Sequence, residues 1–159
     1  MSRVQYSEVL PGSAQALFDL TQDYSVREQW DPFPKGYAFL PPATGPAKGA
    51  ELVVHARNGR SMTVRYVSYN RPRAAAIEMV TGPWFIARFA GTWQFDGLDM
   101  QRTRVTFKYN VRAAPRWLRW AIEPLLELSF RRHARQRVQA LHAYVLRIRL
   151  RPQVATDNR

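Results

Sequence analysis

The sequence predicts an α+β fold: a strand and two short helices, then a meander of antiparallel strands, then one long closing helix. Three observations support it. Apolar and polar residues alternate in run after run between residues 51 and 111. The runs are separated by turn chemistry, NGR, NRPR, TGP and DGLD. Beyond Pro115 the apolar spacing changes from that of a strand to that of a helix.

The opening stretch RVQYSEVL sets Val4, Tyr6 and Leu10 against polar partners and reads as a strand. PGS breaks it, and Ser13 suits the N-cap of AQALFDLTQDY, whose buried side is Leu17, Phe18 and Leu20. SVREQW reads as a second short helix that stops at Trp30, because Asp31 precedes Pro32 and is pushed out of the α region. Residues 32–49 hold five of the eleven prolines and read as loop with a short extended piece at YAFL. The strand-like runs are ELVVHAR, SMTVRYVSY, AAAIEMV, WFIARFAGTWQF and RTRVTFKYNV. Asn58-Gly59 between the first two suits a type I′ hairpin turn. In the last run Val105, Phe107, Tyr109 and Val111 face one way, and Arg104, Thr106, Lys108 and Asn110 the other. Pro115 suits a first helical turn, and Pro124 is expected to kink or divide the helix, which reaches about Leu150. Residues 1–150 are expected to form a single domain, with 151–159 a polar, disordered tail.

An apolar fraction of 46% and an aromatic fraction of 13% exclude a disordered chain. No run approaches the roughly 20 apolar residues of a membrane span, and MSRVQYSEVL lacks the layout of a secretory signal. Without cysteine there is no disulfide framework and no thiolate metal site, so a cytoplasmic location is the expectation. The net charge is +12, and 21 of the 24 basic residues are arginine. Nine of these lie between Arg116 and Arg151. Such a balance fits nucleic acid, an anionic membrane, acidic partners, or simply a solvated helix face.

SFRRHARQRVQAL, residues 129–141, separates these possibilities by position. At ~100° per residue, Phe130, Ala134, Val138, Leu141, Val145 and Ile148 share an apolar arc, and Arg131, Arg132 and Arg135 fall outside it. Arg137 falls inside the arc, with His133 at its margin. An arginine there either reaches past its neighbours to water, pairs with a sheet carboxylate such as Glu78, or sets a polar group in an apolar ligand cavity.

The chain resembles the START-like (Bet v 1-like, SRPBCC) superfamily, in particular bacterial polyketide cyclase/dehydrase and lipid-transport proteins. The resemblance spans roughly residues 3–147. It rests on SAQALFDLTQDYSVREQWDPF after the first strand, on FIARFAGTWQFDGLDMQRTRVTFKYNV around Gly-Thr-Trp, and on the long closing helix. It implies a helix-grip fold, a curved antiparallel sheet wrapped around the C-terminal helix with a cavity between them. It also implies ligands that are lipids, sterols, quinones, polyketides or plant hormones.

Within that fold, strand parity gives the expected ligand-binding residues: Met62, Val64 and Tyr66; Phe89 and Trp93, on the face of Gly91 and Phe95; and Phe107 and Tyr109. Phe130, His133, Arg137 and Leu141 join them from the helix, near Leu126 and Tyr144. Each aromatic can equally be plain core. Gly91 inside a strand points to a bulge, sharp curvature or a close approach, and Trp30 with the following DPF either rims the cavity mouth or staples the helix pair to the sheet. No Gly-x-Ser-x-Gly elbow, metal-ligand spacing around His55, His133 and His142, or phosphate loop is present. Catalytic residues are therefore not identified, and no cofactor or metal is expected. A carrier or sensor of an apolar or amphipathic small molecule is the leading expectation. A polyketide cyclase/aromatase in which Tyr66, Tyr109, His133 and Arg137 act in the same cavity is the alternative. A basic surface that docks on RNA, a ribosome or an anionic membrane comes third. Nucleic acid is disfavoured because the aromatics alternate inward.

Overall fold

The computed structural model describes residues 1–154. Strand β1 (Ser2–Pro11) leads into helices α1 (Ala14–Gln22) and α2 (Tyr24–Arg27). Ser13 caps α1, its Oγ accepting from the Ala16 N–H at 3.1 Å. Helix α2 ends before Trp30, earlier than the sequence implied. The Asp31 N–H bonds the Arg27 carbonyl at 2.9 Å and the Phe33 N–H bonds Asp31 Oδ1 at 3.1 Å, so these residues form the turn that aims Asp31 inward.

The remaining strands are β2 (Pro34–Phe39), β3 (Glu51–Ala56), β4 (Ser61–Asn70), β5 (Ala74–Thr81), β6 (Ile86–Gly97) and β7 (Arg102–Ala113). They form one seven-stranded antiparallel sheet in the order β1-β7-β6-β5-β4-β3-β2. A 3-10 turn (Arg116–Leu118) precedes α3 (Arg119–Val154). This is the helix-grip architecture.

Two local expectations are corrected. The β3–β4 hairpin does not turn through type I′, because neither Arg57 nor Asn58 has positive φ. Gly59 alone does, at 82°, while its N–H bonds the Ala56 carbonyl at 3.1 Å and the Ala56 N–H bonds the Arg60 carbonyl at 2.8 Å. The longer loop puts the left-handed residue last, where glycine is free of penalty. Pro124 does not divide the helix, which is continuous from Arg119 to Val154. Pro124 and Trp120 both lie on the exposed face, where water can satisfy the one carbonyl that proline leaves unbonded. The helix also runs past Leu150, and of the expected polar tail residues 155–159 lie outside the described residues.

Helix α3 packs along β1 and β7 and buries Phe130, Ala134, Val138, Leu141 and Val145. Arg131, Arg132 and Arg135 are exposed, as their angular positions require. On β6, Phe89, Gly91, Trp93 and Phe95 are all buried. A Cβ on Gly91 would lie 3.4 Å from the Phe107 ring, at the near limit of ordinary contact, so the side chains pack closely over the glycine. Trp30 is a staple: it is buried edge-on against Trp93, ring centroids 5.9 Å apart. Because α3 favours the β1–β7 side, space remains between it and the β3–β5 side.

Candidate functional site

That space is a cavity of about 260 Å³. Its walls are Val54, Met62, Val64, Ile77 and Phe89 from the sheet, and Leu126, Phe130, His133 and Arg137 from α3. Pro83 and Phe85 lie toward one end, and Arg27, Phe33, Tyr24 and Tyr37 toward the other. The exposed lining residues Asn58, Arg60, Ser61 and Ser129 mark its mouth. A neighbouring groove of about 250 Å³ shares Phe33, His133 and Arg137, so the polar end is approached from two sides.

The polar end centres on Asp31, whose side chain is fully buried. Asp31 Oδ2 accepts from Arg137 Nη2 at 2.5 Å, from Arg27 Nε at 3.2 Å and from the Tyr37 hydroxyl at 3.3 Å. Arg137 Nη1 donates to the Tyr109 hydroxyl at 3.0 Å. Burial alone would raise the Asp31 carboxyl, but the two guanidiniums outweigh it and hold it below the usual carboxylate range. Burial also pushes the Tyr109 and Tyr37 phenols upward, so both remain protonated donors.

Aromatic faces complete the seating of both cations. The Arg137 guanidinium lies 4.6 Å from the Phe107 ring centroid and 5.4 Å from that of Phe33. Arg27 lies 5.0 Å from Tyr24 and 5.3 Å from Tyr37. Arg27 and Arg137 are each only 5% exposed, yet among the described residues they share a single carboxylate. One positive charge at the cavity wall is thus left without a counter-ion, and Arg137 Nε has no hydrogen-bond partner among the described residues.

His133 stands beside Arg137, edge-on to Phe33 at 5.2 Å and to Phe130 at 5.9 Å. Burial first, then Arg137 and Arg132, lower its pKa, so the ring is neutral at pH 7. Its Nδ1 is buried without a partner among the described residues. These residues include no group of three or more His, Cys, Asp or Glu side chains placed to hold a metal ion.

The sequence of the family described as "Polyketide cyclase / dehydrase and lipid transport" matches residues 1–146. The chain belongs to this family. No curated protein matches it. Among solved structures, a START superfamily protein from Mycobacterium smegmatis is similar, with TM-score 0.78 and 14% identity over 93% of this chain and 99% of that one. The Zhui aromatase/cyclase from Streptomyces sp. R1128 gives 0.70 and 16% over 91% and 93%. Norcoclaurine synthase from Thalictrum flavum, in complex with dopamine and hydroxybenzaldehyde, gives 0.68 and 10% over 92% and 87%. At these identities the likeness is one of fold.

In this polyketide cyclase/dehydrase family member, Met62, Val64, Phe89, Phe130, His133 and Arg137 come together on the cavity wall. Tyr66, Trp93, Phe107, Tyr109 and Leu141 do not line it. Tyr66 is turned toward the helix pair, its hydroxyl donating to Gln22 Oε1 at 2.7 Å and lying 2.5 Å from that of Tyr24. Trp93, Phe107 and Tyr109 pack on one another, with centroids 4.5 and 4.6 Å apart along the series. Leu141 is fully buried in the core. Glu78 is not the partner of Arg137: it lies exposed opposite Arg65, on the face away from the Ile77 side that lines the cavity. Sequence reasoning placed Asp31 only within the DPF stretch, whose Phe33 does line the cavity, and missed both its pairing with Arg137 and the parts of Arg27 and Tyr37. The available signal was WDPF, an acid set between two large apolar residues, with Arg27 one helical turn before it.

Proposed function

We propose that this protein binds a compact apolar or amphipathic small molecule, a lipid-, quinone- or polyketide-like compound, in the cavity between sheet and helix, as a carrier or sensor. The observation behind this reading is the sharing of Asp31 by Arg27 and Arg137 at an otherwise apolar wall. A buried cation without a full counter-ion favours a ligand that brings an electron-rich end, such as a carbonyl, phenolate or carboxylate. Met62, Val64, Ile77 and Phe89 would hold its apolar body. A volume of about 260 Å³ suits one or two rings or a short chain.

A second reading, a cyclase- or dehydrase-type enzyme, is favoured by His133. A neutral imidazole on the cavity wall beside Arg137 can accept a proton from an acidic carbon, while the guanidinium stabilises the resulting enolate. The names of the similar Zhui aromatase/cyclase and norcoclaurine synthase are consistent with it.

The test is native mass spectrometry of the purified protein, with organic extraction and identification of the released compound. A stoichiometric passenger with an acceptor end is the expected result. Arg137→Met should weaken its binding roughly ten- to a hundredfold, the equivalent of one hydrogen bond to a charged group. An unoccupied protein that ignores lipids, quinones and aromatic polyketides, or an Arg137→Met variant that binds as well as the parent, overturns the reading.

A further inference from the structure

Apolar side chains gather on the surface beside the cavity mouth, where nothing in the cavity reading requires them. Trp84, Trp117 and Trp120 are 76%, 74% and 79% exposed, and Leu125 and Leu128 are 70% and 68% exposed. Exposed apolar groups of this size are unusual when they are contiguous. The fold brings these to one end of the molecule. Ile86 pairs with Ala113 and the Ala114 N–H bonds the Phe85 carbonyl at 2.9 Å, so the loop bearing Trp84 is tied to the segment leading to Trp117. Trp120, Leu125 and Leu128 follow on the outer side of the first turns of α3. Phe85 and Leu126, neighbours of Trp84 and Leu125, line the cavity itself.

The charge around this patch is mainly positive. Arg131, Arg132 and Arg135 continue the same exposed face of α3, and Arg116 stands exposed just before it. The acids nearby are engaged: Glu127 Oε1 accepts from Arg131 at 2.8 Å, and Glu123 accepts from the Ala113 N–H and lies 3.8 Å from the amino terminus. At 1.5 Å rise per residue, the apolar stretch from Trp120 to Leu128 is about 12 Å long and the arginines begin about 5 Å beyond it. We propose that this tip docks on the surface of an anionic lipid bilayer, with the tryptophans and leucines at the headgroup–acyl boundary and the arginines on the lipid phosphates.

The segregation decides between partners. An interfacial membrane site places an apolar tip about 5–10 Å deep and cations behind it, with tryptophan at the boundary. Leucines offer nucleic-acid bases no stacking platform, and here they lie inside the patch. A second copy would bring arginine against arginine in a chain of net charge +12. A mouth held at the bilayer would let an apolar molecule pass between membrane and cavity without crossing bulk water. The docking itself does not depend on which ligand the cavity takes.

The test is vesicle flotation of the intact protein with phosphatidylcholine alone and with about 30% phosphatidylglycerol added, which supplies the negative surface potential. The protein should float with the anionic vesicles only, with a blue shift of tryptophan emission. It should come off as salt approaches about 1 M, where the Debye length is only about 3 Å. The triple variant Trp84→Ala/Trp117→Ala/Trp120→Ala should lose at least about tenfold in affinity. Arg131→Gln/Arg132→Gln/Arg135→Gln should lose about fivefold per charge removed. Both should keep the parent's circular dichroism and melting temperature, since every substituted side chain is exposed. Three outcomes overturn the proposal: no flotation with anionic vesicles, flotation that the tryptophan variant leaves unchanged, or a tryptophan-dependent dimer or RNA complex in a protein that ignores vesicles.

Discussion

The two ends of the cavity are built on opposite principles. At the polar end every wall is charged or aromatic and most groups are tied to one another: Asp31 takes three side-chain donors and the Phe33 N–H, Arg137 reaches Tyr109, and both guanidiniums lie against rings, with Arg137 Nε and His133 Nδ1 left over among the described residues. At the mouth the walls are Met62, Val54, Phe85 and Leu126, half-buried side chains with no polar demands. The first end is held rigidly because each member of its network fixes another. The second is held only by shape and can yield to a guest. Orientation of a bound molecule belongs to the polar end, and tolerance of its apolar body to the mouth.

The largest effect should come from removing the anion at the polar end. Asp31→Asn leaves two buried guanidiniums with no counter-charge, and it should cost about 3–5 kcal/mol in urea unfolding at pH 7. The pH dependence has a definite sign. The folded carboxyl titrates below its ordinary value of 3.8, so its contribution is complete above that value and is lost as pH falls through the lower folded one. The gap between parent and variant should therefore close on acidification below about pH 4. A gap that stays constant with pH would mean that Asp31 acts through packing and not through charge.

Next in size is a pair of truncations that compares the two ends directly. Trp93→Ala, in the aromatic packing behind Arg137, should cost about 3–5 kcal/mol because the rings around it cannot collapse into the void. Met62→Ala, on a wall that already borders open space, should cost about 2 kcal/mol or less, at the low end for such truncations. Equal losses in denaturant unfolding would show that the mouth is packed as tightly as the polar end.

The same contrast explains what the sequence disclosed. Strand parity placed Met62, Val64 and Phe89, and helical phase placed Phe130, His133 and Arg137, because burial with period 2 or 3.6 is local information. Element order and the Ser13 cap were legible for the same reason. The partner of Arg137 was not, because Asp31 lies 106 residues away and meets it only through the tertiary fold. Parity also says which face a side chain takes but not whether it ends in a cavity or against another ring. Tyr66, Trp93, Phe107 and Tyr109 share the inward face and are filled in by neighbours. The hairpin at Gly59 failed on a finer point: Asn-Gly specifies a left-handed residue, while the pairing of Ala56 with Arg60 sets the loop length.

The smallest effect, and the one that separates an anionic from a neutral ligand, belongs to His133. Its pKa is lowered from 6.5 by burial, then by Arg137 and Arg132, so the neutral form stabilises the fold above pH 6.5. That contribution is lost as pH falls from 6.5 through the folded value, and the parent should weaken there relative to His133→Phe. Binding responds in the other direction. An anionic ligand end beside Arg137 favours the imidazolium, so its affinity should rise a few-fold as pH drops below about 6.5, as long as the ligand stays ionised. A neutral carbonyl end gains nothing from the added charge, and its affinity should stay flat. Binding curves for parent and His133→Phe across this range, with unfolding measured alongside, therefore read the charge of the ligand from the slope of one residue. A rise in affinity that persists in the phenylalanine variant would assign the titration to the ligand and remove His133 from the polar end's chemistry.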